Sequence, residues 1–152
     1  MSGQLEAASY FITDNQGVLV DDFRGKLKDE HNIVGWIELR DGENQILGRE
    51  HWDLVDQLWA YIIDGLVTID EGADKWKSYF PDQPLLIELS RTSRSTLCVT
   101  IGGQSFTVNY RKIKNELARV GLDFFERMSV LVPASSDVWD QYIEKCRSLT
   151  SE

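Results

Sequence analysis

The chain has 152 residues, of which 42% are hydrophobic and 27% charged, and its formal net charge is -9. This composition is ordinary for a globular protein, and the length favours a single domain over residues 1–152. The acidity argues against a nucleic-acid partner, because binding a phosphate backbone needs clustered Lys and Arg.

Two segments among the first fifty residues predict β-hairpins. Residues 9–23 hold two apolar runs around a turn at 14–17, and residues 33–40 and 45–49 flank a second turn at 41–44. Both turns contain Asp, Asn and Gly, which tight connections between strands favour. Each segment is therefore expected to supply a pair of antiparallel strands.

The segment that begins at His51 predicts an amphipathic helix with a broad buried face. At 100° per residue, the apolar side chains separate cleanly from the polar ones. Trp52 and Trp59 fall on the flank of the apolar arc, so both are expected in the core or at its edge. Gly65 is placed to end the helix. The opposite arc holds Asp53, Asp56, Gln57, Ala60 and Asp64.

The clearest strand register comes from the glycine pair at 102–103. Two glycines suit the type I′ turn of a two-residue hairpin, which places Val99 opposite Phe106 and Leu97 opposite Val108. These four side chains then share one face, and the other face carries Cys98, Asn109 and several Ser and Thr side chains. Agreement between both strands predicts a sheet with one covered face.

The C-terminal third has helical periodicity. Apolar side chains recur at helical spacing after Tyr110, with Gly121 as a candidate break, and residues 135–137 offer an N-cap to a last helix. In that helix Val138, Trp139, Tyr142, Ile143 and Cys146 are expected on one side. Together the elements predict an α+β fold: an antiparallel β-sheet packed against a central amphipathic helix, with a helical C-terminal third.

No catalytic or cofactor motif is recognisable. His31 and His51 are the only histidines, and neither lies in a metal-binding spacing. Ser105 follows the glycine pair inside a hairpin and not at the strand-to-helix turn of a serine hydrolase, and the helical phase of Cys146 predicts a packed thiol. We therefore expect no metal, no cofactor and no enzymatic activity.

The sequence also gives an expectation for location. No apolar run approaches the ~20 residues of a membrane span, and the first residues lack the basic and apolar stretches of a signal peptide. Cys98 and Cys146 are far apart and fit two reduced thiols. These features predict a cytoplasmic protein with no membrane partner.

Negative charge is concentrated between Glu50 and Asp74. This stretch holds seven acidic residues and no Lys or Arg, so it accounts for most of the net charge. Asp64, near the expected end of the helix, would face the negative end of the helix dipole. A surface of one sign is better explained by a basic partner than by solubility alone, although plain solvated surface is the alternative.

Aromatic residues follow the acidic block directly. Trp76 and Tyr79 lie in a segment that ends at Pro81 and is interpreted as a loop; they either cover a sheet edge or anchor a partner, since Trp and Tyr are enriched at interface hot spots. The predicted partner-binding residues are Asp53, Asp56, Asp64, Asp70, Glu71, Asp74, Trp76 and Tyr79.

Small size, acidity, the aromatic segment WKSYFPDQP and the lack of a catalytic motif give the chain a recognisable profile. In this profile it resembles the small immunity proteins of bacterial toxin systems, whose partners include the toxins of contact-dependent growth inhibition. The resemblance implies a cytoplasmic protein that binds and neutralises a basic cognate toxin. Two alternatives stay open: a small-ligand-binding or homo-oligomeric domain, and a small enzyme with an unrecognised site.

Overall fold

The computed structural model describes residues 4–150. Within them, nine strands and three α-helices alternate in blocks, which confirms the α+β class. In chain order the elements are β1 Leu5–Thr13, β2 Gln16–Leu19, β3 Val34–Asp41, β4 Asn44–Leu47, β5 Asp53–Leu54, α1 Val55–Asp70, β6 Lys75–Phe80, β7 Gln83–Arg91, β8 Thr96–Ile101, β9 Gln104–Asn109, α2 Tyr110–Leu131 and α3 Ser136–Thr150. Short 3-10 turns occupy Val20–Asp22, Arg49–His51 and Pro133–Ser135.

The first sheet is antiparallel and has the order β2-β1-β3-β4, with β5 paired to β3. Both N-terminal hairpins are confirmed. In the first, Asp14 and Asn15 form the turn with φ of 52° and 65°, as a type I′ turn requires at both positions. The free edge of β1 is covered, because the Ala7 N–H donates to the Glu116 carboxylate of α2 at 2.9 Å.

The second sheet is also antiparallel and has the order β6-β7-β8-β9. The hairpin register predicted around the glycine pair is confirmed: Val99 pairs with Phe106, and Leu97 pairs with Val108. Both turn glycines have positive φ. The expectation of one sheet is wrong, since the nine strands divide into two sheets.

The expectation of a loop at Trp76 and Tyr79 is also wrong. Both residues lie in β6, an edge strand whose Trp76 pairs with Leu89 and whose Tyr79 pairs with Leu86. Neighbouring side chains of a strand point to opposite faces. Trp76 therefore points toward α1 and is half-buried, whereas Tyr79 is exposed.

Helix α1 starts and ends later than the sequence predicts. Residues 49–54 form a 3-10 turn and a short strand, so the helix begins at Val55, and it runs through Gly65 to Asp70. Its buried side chains contact both sheets and the other helices. They are Val55, Leu58, Trp59, Ile62, Ile63, Leu66 and Ile69. The indole N–H of Trp59 donates to Ser9 Oγ at 2.8 Å, which ties this central helix to β1.

The predicted helical C-terminal third is confirmed. Helix α2 continues through Gly121 without a break. Helix α3 packs along α2. The expected apolar side of α3 is correct except for Val138, which is exposed. Within residues 4–150, no helix is long and apolar enough to cross a membrane.

Gly65 is a helix-interior glycine that a close contact requires. A Cβ built there would lie 2.6 Å from Cε3 of the Trp76 ring, so β6 approaches α1 more closely than a side chain would allow. Gly65→Ala should lower the free energy of unfolding by about 1 kcal/mol, because overpacking exceeds the gain in helix propensity. Urea denaturation measures this change.

The matched control is Gly121→Ala in α2. There a Cβ would meet its nearest neighbours, on Ile63, Trp59 and Cys146, at 3.2–3.3 Å, which small shifts can relieve. Its stability should stay close to that of the wild type, since the gain in helix propensity offsets the crowding. Equal effects of the two substitutions would contradict a special contact between Gly65 and Trp76.

Candidate functional site

The acidic residues of the 50–74 block are spread along the whole of α1. Asp56 and Asp70 are fourteen positions apart, which is about 21 Å along a helix axis. Asp53 precedes the helix, and Glu71 and Asp74 follow it. The block is compact in sequence but long in space, and its members have different surroundings.

Asp64 joins α1 to α3. Its carboxylate accepts hydrogen bonds from Tyr142 Oη at 2.9 Å and from Lys145 Nζ at 2.7 Å. Burial, together with the bond to this carboxylate, raises the pKa of Tyr142 to about 12. The dipole conflict expected for Asp64 is wrong, because the helix continues past it and α3 supplies the compensating cation.

Asp70 has the same role between α1 and α2. It accepts hydrogen bonds from Tyr110 Oη at 2.9 Å and from Lys114 Nζ at 3.1 Å. Burial and the bond to Asp70 raise the pKa of Tyr110. Asp70 is the residue that meets the negative end of the helix dipole, and the buried Lys114 offsets that cost.

Asp53 is a buried structural carboxylate that is only 3% exposed. It accepts hydrogen bonds from the N–H groups of Leu54 at 2.7 Å and Asp82 at 3.3 Å, and from Gln83 Nε2 at 3.0 Å. Asp82 belongs to the turn between β6 and β7, and Gln83 begins β7. Asp53 therefore fastens this end of the second sheet to β5 of the first.

Asp56 lies half-buried in the first turn of α1. Burial raises the pKa of its carboxyl, and bonds from the backbone of Gln57 and of Asp56 itself counteract part of that effect. In the described part of the chain it makes no ion pair. Unlike Asp64 and Asp70, it has no cation to compensate it.

Asp56→Asn should raise the thermal stability at neutral pH. A carboxyl whose folded pKa lies above the unfolded value of 3.8 contributes most to stability when protonated, and this contribution is lost as the pH rises from 3.8 through the raised pKa of the folded state. The neutral amide avoids the loss and can still accept the backbone bonds. We expect a melting temperature higher by a few degrees at pH 7. The advantage should disappear below pH 3.8 in melting curves; a lower melting temperature at neutral pH would contradict this account.

Trp76 and Tyr79 have separate roles. The ring of Trp76 packs on α1 at Gly65, so it serves the contact between sheet and helix. Tyr79 is 62% exposed on the outer face of the second sheet. On that face, the neighbouring Lys77 is paired across the strands with Glu88, so opposite charges face each other.

Trp52 is an exposed aromatic residue that sequence reasoning assigned to the core. It is 54% exposed, and its expected burial is wrong because it precedes the helix. If residues 52–54 are treated as a strand, the alternation of side chains places Trp52 on the face opposite to that of the buried Asp53. The Trp52 carbonyl accepts a hydrogen bond from Gln83 Nε2 at 2.9 Å, so this residue adjoins the β6–β7 turn.

An open cavity of about 480 Å³ lies beside Trp52. Its lining contains carboxylate and amide groups and no Lys or Arg. The lining residues are Asn32, Val34, Trp52, Asp53, Leu54, Asp82 and Gln83. We call this cavity, together with Tyr79, the hairpin-end surface, because all of it adjoins the end of the β6–β7 hairpin.

A second cavity continues from the first. It measures about 310 Å³ and shares Asn32 and Val34 with it. Its walls are the buried rings of Phe11 and Phe23 and the loop between Phe23 and Val34. An ion pair between Lys28 and Asp14, at 2.7 Å, links that loop to the first hairpin turn. The two cavities adjoin at the start of β3 and together form one groove.

Residues suited to metal binding or nucleophilic chemistry do not cluster at this surface. Across residues 4–150, no three His, Cys, Asp or Glu side chains are grouped as metal ligands would be. Burial raises the pKa of the Cys146 thiol to about 12, so it is protonated at neutral pH. The half-exposed Cys98 lies on the outer face of the second sheet.

Comparison with known proteins places the chain in no family. No protein-family model matches the sequence, and neither a curated protein nor a solved structure matches the chain significantly.

Proposed function

We propose that the protein binds a basic protein partner through the hairpin-end surface. The observation that supports this most is the pair of exposed aromatic rings, Trp52 and Tyr79, beside a single turn. Trp and Tyr are enriched among the residues that anchor protein interfaces. The partner would cover both rings.

The charge of the chain favours a basic partner. A net charge of -9 attracts cationic proteins at long range and speeds their association. Asp64 and Asp70 already have cations inside the fold, whereas Asp82, Glu71 and Asp74 are exposed. Asp82 would meet the partner directly and the half-buried Asp56 would help to attract it, whereas Glu71 and Asp74, at the far end of α1, would contribute only to the overall charge.

We further propose that the partner is a toxin domain and that the protein is its cytoplasmic immunity protein. The support is the sequence profile, namely small size, acidity and the absence of a recognisable catalytic motif. A protein that neutralises an enzyme by covering its active site needs a complementary surface and no chemistry of its own. The exposed rings of Trp52 and Tyr79 and the exposed Asp82 carboxylate would provide such a surface.

A small-ligand-binding domain is the second candidate. It is favoured by the continuous groove, whose two parts of about 480 and 310 Å³ fall in the size range of ligand pockets. A dialysable cell extract that raises the melting temperature of the purified protein would favour this candidate, and loss of that effect in Leu27→Trp would place the ligand in the groove.

The test of the immunity function is protection from the toxin. The partner is identified by capture on the immobilised protein from the native host, and it is then produced in a bacterium with or without this chain. We expect arrested growth with the partner alone, normal growth with the wild-type chain, and arrest again with Trp52→Ala combined with Tyr79→Ala. Asp74→Asn, an exposed control at the other end of α1, should still protect.

Two results would contradict the proposal. A captured partner that does not arrest growth would contradict the claim that the partner is a toxin. If the double aromatic variant protects fully at the same protein level and melting temperature as the wild type, the hairpin-end surface is not the binding surface.

A further inference from the structure

We propose that the cavity beside Trp52 is a receptor for an arginine side chain of the partner, held between the Trp52 ring and the Asp82 carboxylate. This inference rests on the proposed function and names the chemistry that the hairpin-end surface recognises. The exposed Trp52 ring, the exposed Asp82 carboxylate and a cavity lining that contains no Lys or Arg support it.

The backbone of Trp52 is held in place, and its side chain is half-exposed. The backbone is fixed on both sides, since its N–H donates to the Arg49 carbonyl at 3.1 Å and its carbonyl accepts from Gln83. Among the described rings and cations, Trp52 has neither a stacking partner nor a cation–π partner. An aromatic ring fixed by its backbone and open to solvent is suited to stacking with a guanidinium.

Trp36 has both a stacking partner and a cation–π partner within the chain. Its ring stacks on Tyr10 with centroids 4.5 Å apart, and the guanidinium of Arg49 lies 5.2 Å from its centroid. Trp36 is consequently buried on the outer face of the first sheet. Trp52 lacks both contacts, and a guanidinium from another molecule would supply them.

The two carboxylates in the cavity differ in what they can accept. The oxygens of Asp53 already accept three hydrogen bonds inside the fold, so it stays a structural group. The Asp82 carboxylate is exposed and makes no hydrogen bond or ion pair within residues 4–150. A carboxylate can accept two parallel N–H bonds from one guanidinium, which makes arginine a better match than lysine.

The surroundings favour a cation from outside. No Lys or Arg lines this cavity, and of the two basic residues that line the neighbouring cavity, Lys26 and Lys28, the second is paired with Asp14. An anion would meet Asp82 without compensation. Charge complementarity therefore selects a basic side chain over an acidic or phosphate group.

The test uses N-acetylarginine amide as the probe and N-acetylcitrulline amide as its uncharged counterpart of almost the same shape. The readout is the indole N–H signal of Trp52 in proton–nitrogen NMR spectra of the whole protein, assigned with Trp52→Phe. We expect a saturable shift with the arginine probe at millimolar concentration and affinity weaker by at least about fivefold for citrulline.

Two variants locate the site. Asp82→Asn should weaken binding of the arginine probe by about threefold to tenfold, because one charge-assisted partner is lost. Asp74→Asn makes the same change of net charge at the far end of α1 and should leave the affinity unchanged. In Trp52→Ala, the backbone N–H signal of Asp82 should no longer shift with the probe.

Three results would overturn the inference: no saturable shift of the Trp52 signal up to about 50 mM probe, equal affinities for arginine and citrulline, or equal effects of Asp82→Asn and Asp74→Asn. These outcomes are separate from those of the protection assay. If the protein neutralises a toxin without the help of Asp82, the immunity function is supported and the arginine site is contradicted. If it binds arginine but has no toxin partner, the arginine site is supported and the immunity function is contradicted.

Discussion

Val99→Asp should unfold the protein. Val99 is 3% exposed in the middle of β8, between Leu89 of β7 and Phe106 of β9, on the covered face of the second sheet. A carboxylate there would lose its water without gaining a partner, which costs more than about 4 kcal/mol and approaches the whole stability of a domain. Circular dichroism and urea titration would show the loss of folded protein.

Thr107→Asp is the control for this substitution. Thr107 is exposed on the opposite face of the same sheet, where it pairs with Cys98. Its replacement should cost at most about 1 kcal/mol, the range of strand propensity. If Val99→Asp remained folded while Thr107→Asp unfolded, the assignment of the two faces would be reversed.

Asp64→Lys should lower the free energy of unfolding by about 2–3 kcal/mol. The substitution removes two hydrogen bonds to a carboxylate and places a second ammonium group beside Lys145. Hydrogen bonds to charged groups contribute about 1.5–3 kcal/mol, and partial exposure to solvent reduces the electrostatic part. Chemical denaturation of the purified variant measures the change.

Asp74→Lys makes the same charge change within the same acidic block. Asp74 is exposed, and its side chain has no hydrogen-bond or ion-pair partner among residues 4–150. Its stability should remain within about 0.5 kcal/mol of the wild type. A variant at Asp64 as stable as the one at Asp74 would show that the hydrogen bonds from Tyr142 and Lys145 contribute nothing to stability.

The hairpins were predictable because their determinants are local. The residues at 14–15 and the glycine pair at 102–103 adopt positive φ, and the alternation of Leu97 and Val99 fixes which face is buried. The division into two sheets was not predictable, since strand alternation shows pairing within a hairpin but not which hairpins join.

Two errors arose where packing overrides local preference. Gly65 looks like a helix end, yet it lies within α1 because the Trp76 ring needs its missing side chain. The segment of β6 was interpreted as a loop because its aromatic residues crowd together just before Pro81, whereas Trp76 and Tyr79 alternate in a strand paired with β7. Both errors concern contacts between elements distant in sequence.

The candidate site was only partly predictable. The acidic block is evident from the sequence, but the cations that compensate Asp64 and Asp70 come from helices 81 and 44 residues away, respectively. No periodicity within the block can show such partners. Tyr79 was identified from its residue type, whereas the exposure of Trp52 depends on where α1 begins.

The most direct test of the hairpin-end surface is the dissociation rate of the purified partner from Trp52→Ala, compared with wild type and with the Tyr79→Ala and Asp74→Asn variants. Loss of a central aromatic anchor acts mainly on dissociation. We predict dissociation faster by tenfold or more for Trp52→Ala, which corresponds to about 1.4 kcal/mol or more, and no change for Asp74→Asn. A wild-type dissociation rate for Trp52→Ala, with the fold intact, would contradict the account and place the binding surface elsewhere.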